Sequence, residues 1–157
     1  TVVAANPTGK IPALLRDDGP TIHDSRVITR YLDDLANAGF YPGERVWDVL
    51  TLEATADAIM EAALFITYEL RLRPADKQFD GWTDAQWGKA IRAVSAINDR
   101  WMSQLSGPLD MGHISVGCAL GYLDLRHDAR GWRNGNTALA EWYTQFAQRD
   151  SMLATAP

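Results

Sequence analysis

Two short stretches near the start of the chain hold the residue types best suited to gripping a ligand. The first is Asn6-Pro7-Thr8-Gly9-Lys10-Ile11-Pro12-Ala13-Leu14, in which Pro12 directly precedes an apolar run. A cis Ile11-Pro12 bond there would turn the Ile11 backbone outward, leaving an N–H and a C=O free to pair with an extended peptide. The plainer reading is an ordinary turn before a strand, and this stretch by itself favours it. The second is Asp24-Ser25, where a serine suited to an N-cap opens a helical pattern. A helix N-terminus gathers free N–H donors at the positive end of the dipole and so offers a carboxylate a seat. A serine that merely caps its own helix is the commoner case. The combination changes the balance: a cis-proline candidate, a hairpin and a capped helix follow in an order that brings the Ile11 backbone and Ser25 to one end of a small sheet.

Other reactive residue types carry less. The three histidines, His23, His113 and His127, lack the paired spacing of a metal site, so no metal is expected. Glu53, Asp57 and Glu61 recur at i, i+4 and i+8 and read as the solvated face of a long helix. Asp124 and Arg126 read as a structural pair or cap. The single cysteine, Cys118, lies in the apolar run from Ile114 to Leu120. It reads as a buried, inert thiol and suits a reducing, cytoplasmic setting.

The elements that must position the first two stretches follow from pattern. Ala13-Leu14-Leu15 reads as one short strand, Asp17-Asp18-Gly19-Pro20 as a turn and Thr21-Ile22-His23 as the second strand of a hairpin. The helix opened by Asp24-Ser25 carries Val27, Ile28, Tyr31, Leu32 and Leu35 at helical spacing and stops at Gly39. Two strands and one helix are too little to stand alone. Residues 40–45, with Phe40-Tyr41-Pro42-Gly43, read as a linker between a small α/β region over 1–39 and an all-helical region over 46–157.

In that second region a long helix over 46–72 carries Leu50, Ala54, Met60, Ala63, Leu64 and Phe65. Thr83-x-x-Gln86 reads as a capping box that starts the next helix, which buries Trp87, Ile91, Val94, Ile97 and Trp101 and ends before Ser106-Gly107-Pro108. The run from Ile114 to Leu125 is apolar on nearly every side, the mark of a central helix, with Gly117 and Gly121 permitting close contact. A last helix starts near Asn136-Thr137 and buries Leu139, Trp142, Tyr143 and Phe146.

Composition bounds the rest. With 157 residues, 46% hydrophobic and 22% charged, the chain is that of an ordinary globular protein. A formal net charge of -5 without any basic block argues against nucleic acid as a partner. No apolar stretch approaches membrane-spanning length, so no membrane association is expected. The chain starts with Thr1 and runs at once into Asn6-Pro7, which reads as a cut end.

Taken together, residues 6–14, Asp17-Asp18-Gly19, Asp24-Ser25-Arg26-Val27-Ile28-Thr29-Arg30-Tyr31-Leu32 and Gly117-Cys118-Ala119-Leu120-Gly121-Tyr122-Leu123-Asp124-Leu125-Arg126 resemble the glutathione transferases, over essentially the whole chain. The resemblance implies a mainly α protein. Part of a thioredoxin-like α/β domain, two strands and a helix, would be followed by an all-α helical bundle domain. It implies binding of glutathione as co-substrate and transfer of its thiol to a small, electrophilic, apolar substrate, in a homodimer of detoxifying type. On that resemblance the Ile11 backbone pairs with the cysteinyl part of glutathione and Pro12 fixes its geometry. Asp24 and Ser25 hold the γ-glutamyl end, and Lys10 approaches the glycyl carboxylate unless it is simply a solvated loop lysine. Tyr68 and Trp47 would line the acceptor pocket unless they are core.

Three departures stand against it. The family usually has Glu or Gln where this chain has Asp24. It usually has Ser or Thr and then Asp where this chain has Asp110 and His113, a poorer return partner for a capping box. The family's first strand, helix and second strand, with the catalytic Ser, Tyr or Cys, have no counterpart here, so no catalytic residue is assigned within this chain. A non-catalytic interaction or assembly module of the same fold is the competing expectation.

Overall fold

In the computed structural model, which describes residues 1–156, strands are confined to the start of the chain and helices take the rest. The described chain divides into two compact units, one from Thr1 to Val46 and one from Trp47 onward.

The first unit opens with a one-turn helix, α1 (Val2–Ala5), that the sequence reading passed over because four residues are shorter than any periodic window. Strands β1 (Ala13–Leu14) and β2 (Ile22–His23) form the expected hairpin, antiparallel, with Ala13 opposite His23 and Leu14 opposite Ile22. The intervening turn is held by Arg16 Nε donating to the Pro20 carbonyl at 3.0 Å. Helix α2 (Ser25–Ala36) follows at once and ends at Asn37. The φ of 47° at Asn37 lets its N–H return to the carbonyls of Asp33 and Asp34. Of the apolar face expected on α2, only Ile28 is buried, while Val27, Leu32 and Leu35 are exposed. Two strands of two residues each have too little area to cover three turns of helix. An open groove of about 350 Å³ therefore remains between Leu14, Leu15, Tyr31, Leu32 and Leu35.

The second unit is a helical bundle: α3 (Val46–Leu72), α4 (Asp80–Arg100), α5 (Met102–Leu105), α6 (Met111–His127), α7 (Thr137–Phe146) and α8 (Asp150–Ala154). Its core joins Leu52, Ile59 and Ala63 of α3 to Val94 and Ile97 of α4, Val116, Leu120 and Leu123 of α6, and Leu139 and Tyr143 of α7, with Trp132 fully enclosed. Helix α3 has the expected bounds but a different inner face. Val49, Leu52, Ala56, Ile59, Ala63 and Ile66 point inward, whereas Ala54 and Phe65 are exposed. This helix is apolar nearly all round, so the pattern admits two stripes and tertiary packing chooses one. Glu53, expected on a solvated face, is also buried.

Helix α4 begins at Asp80 and contains no capping box at Thr83, because Thr83 and Gln86 lie inside the helix and are buried. The chain is gathered earlier, where the Phe79 N–H donates to Glu69 Oε1 at 3.0 Å, and the N-terminal turn forms from there. Val94 and Ile97 are buried as expected, and Trp87, Ile91 and Trp101 pack half-buried on the core. The helix breaks at Trp101, with a φ of -117°, and α5 is a separate turn.

Helix α6 is central, and its glycines give α7 room. A Cβ on Gly117 would stand 2.6 Å from the Phe146 ring, and one on Gly121 3.0 Å from the Tyr143 hydroxyl. The cap at its start is better than the residue types suggest. Asp110 accepts from the His113 N–H at 3.3 Å, the Asp110 N–H lies 3.3 Å from His113 Nδ1, and the same Nδ1 lies 2.7 Å from Asp110 Oδ1. Nδ1 thus serves the backbone N–H when unprotonated and the carboxylate when protonated, in one rotamer. Cys118, expected to be buried, is exposed on α6 in a groove of about 530 Å³ lined by Tyr122, Leu125, Tyr143, Met152 and Leu153. Atoms crowding the thiol push its pKa up. Asn136 precedes α7 without capping it by its side chain, whose amide donates instead to the Trp132 carbonyl at 2.7 Å.

Candidate functional site

Ala13 pairs with His23 at the end of the hairpin, so Pro12, just before β1, and Asp24, just after β2, leave the sheet at the same end. Both candidate stretches therefore lie at one end of the sheet. The Ile11–Pro12 bond is cis. Ile11 is 80% exposed, an unusual place for an isoleucine, and its N–H makes no hydrogen bond among the described residues.

The cap of α2 differs from the sequence reading. Asp24, not Ser25, is the N-cap: its Oδ1 accepts from the Arg26 N–H at 3.0 Å, and Ser25 is the first helical residue. A carboxylate placed one residue earlier reaches the second N–H of the helix and takes the role from the serine. The Arg26 guanidinium also approaches Asp24 Oδ1, at 3.4 Å, with both side chains about half exposed. The Ser25 hydroxyl is consequently left exposed and without a partner among the described residues. Asp24 adopts a φ of 75° and a ψ of 128°, a region costly for a residue with a Cβ. Strain of this kind, about 1–3 kcal/mol, tends to persist where a site needs it.

Lys10 is exposed, and its backbone carbonyl accepts from Asn6 Nδ2 at 2.7 Å. Asn6 is 2% exposed, and sequence reasoning assigned it no role. The available signal was local: an asparagine before proline in a turn bonds the backbone two residues on.

The remaining candidates are dispersed. No group of three or more His, Cys, Asp or Glu able to hold a metal occurs among the described residues. His127 is buried, its Nε2–H donating to the Ala63 carbonyl at 2.9 Å, and burial lowers its pKa. Asp124 pairs with Arg133 and not with Arg126, through bonds of 2.6 and 2.7 Å, and also accepts from Trp132 Nε1 at 2.7 Å. Trp47 and Tyr68 are exposed on α3 and are not core. No helix of the described chain is long and apolar enough to cross a membrane.

Comparison with known proteins places this geometry. Residues 1–35 match the glutathione S-transferase N-terminal domain, and residues 80–145 match the glutathione S-transferase C-terminal domain. The crystal structure of a glutathione transferase family member from Pseudomonas fluorescens, with bound glutathione, superposes with a TM-score of 0.93 at 43% identity, over 99% of this chain and 78% of that one. The chain belongs to the glutathione S-transferase family.

A glutathione S-transferase from Methylobacillus flagellatus, also with glutathione bound, has a TM-score of 0.89 and 33% identity over 99% of this chain and 80% of its own. The uncharacterized GST-like protein YibF of Escherichia coli K12 is 29% identical over 99% of this chain and 79% of its own length. The family fold accounts for the mainly helical content, with a small two-stranded sheet and then a helical bundle.

Proposed function

We propose that this chain binds glutathione at the β-hairpin end of its first unit and serves a glutathione transferase that conjugates or transfers the thiol to an electrophilic, apolar substrate. The observation that carries the reading is the convergence of an outward Ile11 backbone and a free Ser25 hydroxyl at one end of the hairpin. It is supported by relatives of 43% and 33% identity that hold glutathione. Glutathione is a short peptide with carboxylates at both ends, so it requires an extended edge and an anion seat together.

The Ile11 N–H and C=O pair with the cysteinyl residue, and Pro12 borders that edge. Ser25 donates to the γ-glutamyl carboxylate at the positive end of α2, and Asp24 faces the γ-glutamyl amine. Lys10 lies nearest the glycyl carboxylate. Chemistry depends on the thiolate, because a thiol of ordinary pKa, ~8.5, is mostly protonated at neutral pH. The residues assigned here bind and orient the tripeptide. A second copy of the chain would pack on the exposed stripe Trp47, Thr51, Ala54, Ala58, Phe65, Tyr68 and Leu72 of α3. Light scattering on Ala58→Arg against the unaltered protein tests that homodimer.

One observation favours a non-catalytic module instead. The Asp24 carboxylate is already engaged by its own helix and by Arg26, which reduces what it has to give a ligand amine. Titration calorimetry with glutathione separates the readings. Binding that Ser25→Ala weakens about tenfold, the value of a hydrogen bond to a charged group, upholds the glutathione reading. No heat of binding to the unaltered protein refutes it.

A further inference from the structure

We infer that Asn6 is a positioning residue that aims the Ile11 N–H at its ligand. The inference rests on the glutathione-binding reading above. Asn6 is the one polar residue of the first unit that is buried, at 2% exposure, while Thr8, Gly9, Lys10, Ile11 and Pro12 around it are all exposed. A loop of exposed residues cannot be fixed by apolar packing, so its shape must come from hydrogen bonds.

Asn6 supplies them from both ends of its amide. Oδ1 accepts from the Thr8 N–H at 3.0 Å and from Thr8 Oγ1 at 2.9 Å, Nδ2 donates to the Lys10 carbonyl at 2.7 Å, and the Asn6 carbonyl accepts from the Gly9 N–H at 2.8 Å. Gly9, with φ +69°, allows the chain to close around this side chain.

The bond to Lys10 is the one with a consequence at the site. The Lys10 carbonyl and the Ile11 N–H belong to one peptide plane, and in a trans peptide the two point in opposite directions. A carbonyl drawn inward to buried Asn6 therefore sends the Ile11 N–H outward. That N–H has no partner among the described residues. Asn6 touches no ligand itself. It sets the direction of the one donor that can meet the carbonyl of the cysteinyl residue.

A ligand pair isolates that donor: γ-glutamylcysteine methylamide carries the cysteinyl carbonyl, and γ-glutamylcysteamine lacks it. The unaltered protein is expected to prefer the first by about fivefold, the value of one hydrogen bond. Asn6→Ala is expected to bring that preference below about twofold, while Ser25→Ala weakens both ligands by the same factor. Thr8→Val, which removes only the Oγ1 bond and leaves the bond to the Lys10 carbonyl, should keep the preference. Amide exchange on the unaltered protein supplies a measurement free of mutation: the Ile11 N–H should exchange freely alone and become protected by glutathione. Absence of any glutathione binding would sink the functional reading itself. Binding in which Asn6→Ala keeps the preference, or in which Ile11 is protected before ligand is added, would overturn the role of Asn6 and leave that reading standing.

Discussion

Replacing Asp124 by alanine strips an acceptor from the most enclosed aromatic side chain of the bundle. Trp132 is 0% exposed, and its Nε1–H donates to Asp124 Oδ1 at 2.7 Å. Without that oxygen the buried N–H loses its acceptor, which costs about 1–3 kcal/mol. The two bonds to Arg133 add less, since its side chain is 43% exposed and the carboxylate 29% exposed; such pairs contribute below about 1 kcal/mol. The expected loss is therefore about 1–4 kcal/mol, mostly through the tryptophan, or a fall in Tm of roughly 2–16 °C for a chain of this size. Asp124→Asn keeps an acceptor for Trp132 and should lose less than half as much, and Arg133→Ala should lose under about 1 kcal/mol. All six tryptophans lie from Trp47 onward, so their fluorescence during urea unfolding follows the helical unit alone. If Arg133→Ala costs as much as Asp124→Ala, or if asparagine is no better than alanine, the ion pair and not the buried N–H governs this corner.

Other outcomes follow from the same geometry. Gly117→Ala puts a Cβ 2.6 Å from Phe146, whose ring is stacked on Trp142 at 4.6 Å, so stability should fall by about 1–3 kcal/mol. Gly43→Ala, with nothing within 4 Å, should stay within about 0.5 kcal/mol of the parent when unfolding is followed by far-ultraviolet circular dichroism, which reports on both units. The His127 pKa is lowered, chiefly by burial and further by Arg130 and Arg126, so the folded state resists a proton that the unfolded chain takes up near pH 6.5. The contribution is intact above that pH and is lost below it, at up to about 1.4 kcal/mol per pH unit, and His127→Gln should flatten the fall in urea midpoint between pH 7 and 5. Cys118 should react completely with a disulfide reagent in the native protein, slowly at neutral pH and faster in alkali because its pKa is raised. Reaction only after denaturation would contradict its exposure.

What could be read from sequence here depended on the range of the signal. The hairpin, the start of α2 and both ends of α3 are written in local residues: a turn of Asp, Gly and Pro, an Asx cap, and an unbroken helical run ended near Pro74. Which face of α3 turns inward is not local, since Leu50 and Leu52 are equally apolar and only the neighbouring helices choose Leu52. The false start at Thr83 has the same origin. The capping-box pattern is present, but an earlier bond from Phe79 to Glu69, ten residues back, had already begun the helix. At the candidate site the paired stretches were legible because turn and cap residues announce themselves. The exchange of roles between Asp24 and Ser25 was not, since both are good caps and one residue of register decides.

The first unit also shows why its site is organised by hydrogen bonds. Ile28 and Tyr41 are its only buried hydrophobic residues, and its sheet has two strands of two residues each. Packing of that extent cannot hold a backbone edge to the tolerance that peptide recognition needs. Two side-chain devices take over the task. Asn6 pins the loop before Ile11, and Asp24 pins the turn of helix that presents Ser25. Each acts within five residues of the group it sets, so the site geometry follows from local chain and tolerates a thin core. Substitutions among Val27, Leu32 and Leu35, all exposed, should then leave the ligand edge undisturbed, whereas loss of one amide at Asn6 or one carboxylate at Asp24 should not.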